Sequence, residues 1–401
     1  MKFKIHPYSF FITLSIVLLV FQYSIALIIP SITYYDEIFP ILAYAIYLLR
    51  IRKIKKEDFW MHIFYILTVI FGILGNFSSN VHLNALIDFS DAISILKPLI
   101  ALHVIKNTIT NLEGKRILNN CKYIFSWYIY IAIFVWAIAY MFNFNNFFVI
   151  ERVRYGIKPY RFICENEGIF GYIVMAMVTL LNFSDVNNKI VKYTKFFGLV
   201  LIASTTKGPQ LIFVALYIFF YLIRLKKLRA YHIVVVAFIG LFLGQYQLTH
   251  YFKPTEARYL LIVTGFSIAM DYLPIGSGFG TFGSEMSRHF TYSTIYNDYG
   301  LSNVYGLSEQ YNKFITDNYW PMLMGQLGFI LFGVFLFYYY KLFRSINMMK
   351  NRNAQQKQVM IVSFITFIIG SIGSAYLTSF VGVLNFIIWS IYLSPQVELN
   401  G

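Results

Sequence analysis

Residues 195–229 read KFFGLVLIASTTKGPQLIFVALYIFFYLIRLKKLR. Two apolar runs flank Lys207, and cations close both ends: Lys195 on one side, Arg224, Lys226, Lys227 and Arg229 on the other. The polar break Ser204-Thr205-Thr206-Lys207-Gly208-Pro209 marks the tip of a helical hairpin whose basic ends return to one side. Only 28 residues lie between Lys195 and Arg224, so each arm is short against a hydrocarbon layer of about 30 Å. The tip is therefore expected at or below the outer interface, in a cavity lined by protein. Pro209 suits the first position of the second helix, and Thr205 or Thr206 its cap. A helix N-terminus beside an ammonium favours an anion. The plainer alternative is that Lys207 snorkels to water and merely ends a helix.

The rest of the chain has the same character. Of 401 residues, 58% are hydrophobic and 13% charged, against about a quarter charged in a soluble domain. Apolar runs of about 20 residues recur along the whole length, which excludes a soluble fold. The expected fold class is all-α: a polytopic integral membrane protein, with 1–401 as one transmembrane domain. Twelve spans are expected at about 9–30, 33–50, 58–77, 83–104, 121–142, 163–182, 190–206, 209–224, 230–250, 320–340, 358–375 and 379–395.

A net charge of +15 would suggest nucleic acid in a soluble protein. Here the cations sit between apolar runs and set topology, so no nucleic-acid partner is expected. Of the 33 Lys and Arg residues, 23 fall on alternate connections that become cytoplasmic, nine on the outer side, and Lys97 lies within a span. Both termini are then expected in the cytoplasm. Lys2 and Lys4 precede an apolar stretch too long for a cleaved signal, so 9–30 is expected to be an uncleaved first helix. Parity of the basic loops requires 83–104 to cross despite Asp88, Asp91 and Lys97. It also forbids crossing by 257–270 (ARYLLIVTGFSIAM), which is expected to lie along the outer interface as a helix. Cys121 and Cys164 fall on opposite sides and cannot pair, and no metal-ligand motif or cofactor signature is visible.

Two outer connections are long, 143–162 and 251–319, and they carry the functional candidates. In the first, Arg152, Arg154, Lys158 and Arg161 lie within ten residues, against the positive-inside bias. Such a cluster suits an anionic ligand such as a lipid phosphate, although a loop also needs charge for solubility. The second begins near Arg258 and continues through Asp271…Pro274-Ile275-Gly276-Ser277-Gly278-Phe279-Gly280. Glycines on alternate residues permit close approach, but the motif lacks the flanking strand and helix of a dinucleotide site. Nine tyrosines in the loop suit either sugar stacking or a membrane-interface belt. Asp317-Asn318 stands at the mouth of span ten, where it either caps the helix or handles an acceptor hydroxyl.

Taken in order, these features resemble the Wzy-type polymerases of O-antigen and capsular polysaccharide, in the superfamily that also holds O-antigen ligases. The resemblance rests on Arg154-Tyr155-Gly156, Ser-Thr-Thr-Lys-Gly at 204–208, Arg258 opening an interfacial helix, and Asp271…Pro274-x-Gly276-x-Gly278-x-Gly280. It continues through Asp317-Asn318 and Gly325-Gln326-Leu327-Gly328, so the motifs cover about 151–328. Two departures stand out. Family members often carry arginine where this chain has Lys207, which keeps the charge but loses the bidentate fork. Ligases typically have histidine where this chain has Asp317.

The resemblance implies an enzyme of the bacterial cytoplasmic (inner) membrane that needs no cofactor or metal. Its substrates would be undecaprenyl-pyrophosphate-linked oligosaccharides, with membrane lipid around it and a chain-length regulator and a flippase as further partners. A growing glycan would be transferred to the hydroxyl of a new lipid-linked repeat. Arg258 and Lys207 would serve the leaving pyrophosphate, and Arg154 and Arg161 the second substrate. Gly278 and Asn318 would contribute to binding, and Asp317 would either accept the proton or orient the acceptor. Two other readings stay open: a ligase of the same superfamily, and a lipid-linked oligosaccharide flippase or other transporter using Asp88, Asp91 and Lys97 near the midplane.

Overall fold

The computed structural model describes residues 7–51, 55–81, 84–142, 148–184, 188–223, 253–349, 352–397 and 399, with 231, 234, 235, 238, 241, 245 and 249 in addition. The bundle runs α1 (Pro7–Ala26), α2 (Tyr35–Arg50), α3 (Lys56–Ser79), α4 (Ala85–Thr108), α5 (Asn111–Met141), α6 (Glu167–Leu181), α7 (Lys189–Ser204) and α8 (Gly208–Ile223). After the long connection come α9 (Ala257–Asp271), the short α10 (Glu285–His289) and α11 (Ile295–Asp298), α12 (Tyr319–Met348), α13 (Ala354–Gly370) and α14 (Phe380–Leu393). Among the described residues there is no strand, only the isolated bridges Val149–Tyr160 and Arg154–Ile157. The protein is all-α.

Starts are written into the sequence. Thr110 and Glu113 form a reciprocal capping box on α5, Asn353 and Gln356 another on α13, and Asn166 caps α6 by accepting from Ile169 N at 2.9 Å. The middle of the bundle is α6 and α14, apolar on nearly every side and buried almost throughout. α6 packs against α5, α7, α8, α13 and α14, while α14 packs against α1 and α4.

The outside is apolar as well. Trp60 and Phe77 on α3, Trp127 and Phe134 on α5, Phe196 on α7 and Phe337 on α12 are all exposed. So broad an apolar exterior is rare on a soluble protein and natural against lipid. Among the described residues, four helices are long and apolar enough to cross a membrane: Pro7–Ala26, Lys56–Ser79, Asn111–Met141 and Tyr319–Met348. That differs from the expected twelve. Helices stand at eleven of the twelve places, but six of them (α2, α6, α7, α8, α13 and α14) have 14 to 17 residues. At 1.5 Å per residue each reaches only about 21 to 26 Å. α4 is long enough but carries buried charge. The ninth place, 230–250, lies mostly outside the described residues, as do Lys2 and Lys4 and the start of the 143–162 segment.

The charges of α4 have structural partners. Lys97, buried, pairs with Asp36 and lies 3.6 Å from Glu37, and Gln22 donates to Asp36 at 2.7 Å. Asp88 accepts from Asn76 at 2.7 Å. Asp91 accepts from the Gly280 amide at 2.7 Å and the Ser284 hydroxyl at 2.5 Å, fastening the long connection to the bundle.

That connection is an ordered layer. Its glycine ribbon inserts between α3, α4 and α12, with Phe279 fully buried against Gly72. α12 is interrupted at Gly328 (φ 69°, ψ 175°), and the carbonyls freed near the break accept from the ribbon: Gly325 O from Ser277 N and Gln326 O from Gly278 N, both at 2.9 Å. Helix α9 lies along α12 and shows Val263, Phe266 and Met270 outward as an apolar stripe. A second small core, including Leu261, Ile268, Phe282, Tyr296 and Leu307, holds the remainder of the layer together.

Candidate functional site

At the end of the bundle covered by this layer, four separate segments line a cleft. The first is the turn carrying Arg154. Tyr155 (φ 52°) and Gly156 (φ 76°) both adopt positive φ, and Arg154 and Ile157 exchange two 2.9 Å backbone hydrogen bonds around them. This is the pattern of a type I′ turn, which explains the glycine and places Arg154 at its base. The turn is tied to the hairpin tip, because Tyr160 N donates to Ser204 O at 3.0 Å.

The second segment is that tip, Thr206 to Gln210, at the N-terminus of α8. Neither threonine caps α8 as expected. Thr205 donates back to Ile202 O at 2.7 Å and closes α7, while Thr206 takes a left-handed φ of 53° and its buried hydroxyl has no hydrogen-bond partner among the described residues. Such a φ at a β-branched residue is strained and marks a position fixed by its surroundings. The third segment is Arg258, the second residue of α9, and the fourth is the turn after α13, contributing Gly370, Gly373, Ser374 and Tyr376.

Arg154, Lys207 and Arg258 thus reach one cleft from positions about 50 residues apart. Two carboxylates hold them there. Glu167, 5% exposed at the first position of α6, takes Arg154 at 2.8 Å and Lys207 at 3.3 Å on the same oxygen, Oε1. Asp317 takes Arg258 Nε at 3.0 Å. Three cations against two carboxylates leave a net positive cleft. Burial alone would lower the Lys207 pKa, but Tyr376 and Glu167 outweigh it and hold it above the ordinary lysine value, so the ammonium stays charged. Burial raises the Asp317 pKa above the ordinary carboxylate value, although the Arg258 guanidinium pulls it down.

Asn318 does not cap α12; its amide donates to Arg258 O at 2.7 Å. Asp317 and Asn318 therefore clamp one arginine, by side chain and by backbone. The cleft turn is tied to the same segment, with Ala375 N donating to Thr316 O at 3.1 Å. Beside it, Glu285 accepts from His289 at 3.1 Å and lies 3.4 Å from Arg288, and that ion-pair group stands next to Thr316.

Two expected site residues lie elsewhere. Arg161 donates to Glu165 O at 3.0 Å and does not line the cleft. Gly278 packs into α3, where an added Cβ would fall 1.8 Å from Asn76 Oδ1. Most tyrosines of the long connection serve its own structure: Tyr292 donates to Leu307 O at 2.7 Å, Tyr299 to Asp271 at 2.6 Å, and Gly283 N donates to Tyr296 at 2.7 Å. Glu167, Gln210 and the 370–376 turn were missed by the sequence reading. Glu167 had a signal, as one of two acids, with Glu165, opening an otherwise apolar run, but nothing in the sequence pairs it with cations 13 before and 40 after it.

No family model matches this chain, and no curated protein matches it.

Proposed function

We propose that this chain is a polysaccharide polymerase that takes lipid-linked donors, in the manner of the Wzy-type enzymes whose motif order it resembles. It joins undecaprenyl-pyrophosphate-linked oligosaccharide repeats into O-antigen or capsular polysaccharide at the outer face of a bacterial cytoplasmic membrane. One observation carries the reading: three cations from distant segments, held by Glu167 and Asp317, converge beside the N-terminus of α8 in a cleft. That is the chemistry a departing diphosphate requires.

In the proposed step the acceptor's hydroxyl oxygen forms a bond to the donor's anomeric carbon. The bond from that carbon to the phosphate oxygen breaks, and undecaprenyl diphosphate leaves with the electron pair. Arg258, Lys207 and Arg154 stabilise the leaving charge; their grouping reassigns Arg154 from a second substrate to the same diphosphate. The Asp317 carboxylate, adjoining the cleft through Arg258, takes the hydroxyl proton and returns it to solvent.

The reading includes topology. The eleven helical places and the ninth, 230–250, cross twelve times, with both termini in the cytoplasm and a chain-length regulator and flippase as neighbours. Arms as short as α6, α7 and α8 then end inside the protein, so the cleft sits below the outer surface, where a lipid-borne diphosphate enters. The partners found for Asp88, Asp91 and Lys97 favour this reading over a transporter, because each is engaged in packing.

The test is a gel of surface polysaccharide from a strain lacking the protein. A single repeat on the final carrier, with the ladder restored by the intact gene, supports a polymerase. Unmodified carrier with lipid-linked chains accumulating outside identifies a ligase, and single lipid-linked repeats trapped inside identify a flippase.

A further inference from the structure

Gln210 is 1% exposed and Thr206 3%; both line the cleft, and neither the Gln210 carbonyl oxygen nor the Thr206 hydroxyl has a hydrogen-bond partner among the described residues. The orientation of the Gln210 amide is fixed by chemistry. Its Nε2 donates to Gly168 O at 3.1 Å, and the flipped amide would set two acceptors against each other. Its stem is seated equally firmly, because a Cβ at Gly171 would come within 2.5 Å of Gln210 Cγ. A buried acceptor left unpaired costs about 1–3 kcal/mol, and this one stands in a cleft whose other side chains attract anions. A phosphate oxygen cannot satisfy it, since both are acceptors. It takes a donor, which a hydroxyl adjoining the phosphate on the same ligand supplies.

We infer that Gln210 and Thr206 read hydroxyl groups of the sugar next to the phosphate, so that the cleft takes a glycosyl phosphate in preference to a bare phosphate or diphosphate. The inference rests on the anion-binding reading above and names the part of the ligand that reading leaves open. Gln210 Oε1 accepts from a sugar hydroxyl, and the Thr206 hydroxyl bridges the sugar and the anion. A headgroup such as phosphatidylglycerol shares this chemistry, with a phosphate and hydroxyls together, so the test separates the two sources.

The full chain, purified in detergent, is titrated with three ligands: undecaprenyl diphosphate, the glycan-bearing undecaprenyl diphosphate extracted from the source strain, and phosphatidylglycerol. The wild type is expected to prefer the glycan-bearing lipid. Gln210→Met, which keeps the volume and loses both the free acceptor and the Nε2 bond to Gly168 O, is expected to weaken that ligand about tenfold, the loss of roughly one ligand hydrogen bond. It should leave undecaprenyl diphosphate unchanged, because the bond to Gly168 O is internal to the protein. Retained binding of the bare diphosphate also shows that the variant is folded. Thr206→Val, which loses a hydroxyl shared between sugar and anion, weakens the glycan-bearing lipid more than undecaprenyl diphosphate, and Thr206→Ser restores both. Gly171→Ala, which displaces Gln210 without altering it, reproduces the Gln210→Met pattern. Equal effects of Gln210→Met on both diphosphates, or no effect on either, overturn the inference alone. Phosphatidylglycerol binding as tightly as the glycan-bearing lipid overturns it in favour of a headgroup site. Failure of the wild type to bind either diphosphate overturns the anion-binding reading, and this inference with it.

Discussion

Arg258 is held at two points, by Asp317 on its side chain and Asn318 on its backbone carbonyl. Arg258→Ala is expected to lower polymerisation about 10²–10³-fold at normal protein abundance, the range for removing one charge-stabilising donor. Arg258→Lys, keeping charge without the planar fork, should fall between. Glu167→Gln removes the shared counter-ion of Arg154 and Lys207, so the two cations separate; activity should fall and Glu167→Asp should restore part of it. The pH dependence follows from Asp317. A base works only when ionised, and a pKa above the ordinary carboxylate value means the ionised fraction declines on acidification sooner than for a free aspartate. Rate should therefore drop with falling pH above the usual carboxylate range, and Asp317→Asn should flatten that limb while lowering the rate throughout; a limb that persists in Asp317→Asn assigns it elsewhere. At this scale Arg154, Lys207 and Arg258 were legible as candidates because cations placed against the topology bias are conspicuous, and Asp317 because it stands at the mouth of a helix. Gln210 and the 370–376 turn were not, since a lone glutamine and a glycine-serine turn in apolar sequence carry no pattern.

The elements show where local reading and tertiary packing part company. Alternate glycines at 276, 278 and 280 suggested a ligand loop, and the structure uses them to slide a backbone between α3 and α12. Gly276→Ala would force a Cβ to 2.4 Å from Gly328 N at a φ of 76°, so about 1–3 kcal/mol of stability or more should be lost, read as a lower unfolding temperature in detergent. The break in α12 was hidden for the same reason: Gly328 is one glycine in an apolar run, and only the ribbon beside it explains the departure from helix. α4 gives the complementary lesson, because parity demanded a helix there while its charges argued against burial, and the partners lie on α2, on α3 and in the long connection. Lys97→Met leaves Asp36 buried without its cation and should cost about 3–5 kcal/mol, whereas Lys97→Met with Asp36→Asn should recover much of it. Full stability in the single variant would show that the pair is not structural.

For the molecule as a whole, hydropathy and the alternation of Lys and Arg foretold an all-α protein with an apolar exterior. The spacing of Lys195 and Arg224 also foretold the short arms of α7 and α8; it did not foretell that α2, α6, α13 and α14 would have only 14 to 17 residues. Reporter fusions in the 109–110 and 349–353 connections should both read cytoplasmic, and one in 300–312 should read external; any reversal breaks the twelve-crossing topology. The most direct measurement uses the purified protein in liposomes supplied with lipid-linked single repeats and no nucleotide sugar, followed by sizing of the lipid-linked glycan. The account predicts a ladder of multiple repeats with release of undecaprenyl diphosphate, absent with Arg258→Ala. Folded protein that leaves every glycan at one repeat, or only moves single repeats across the bilayer, would contradict it.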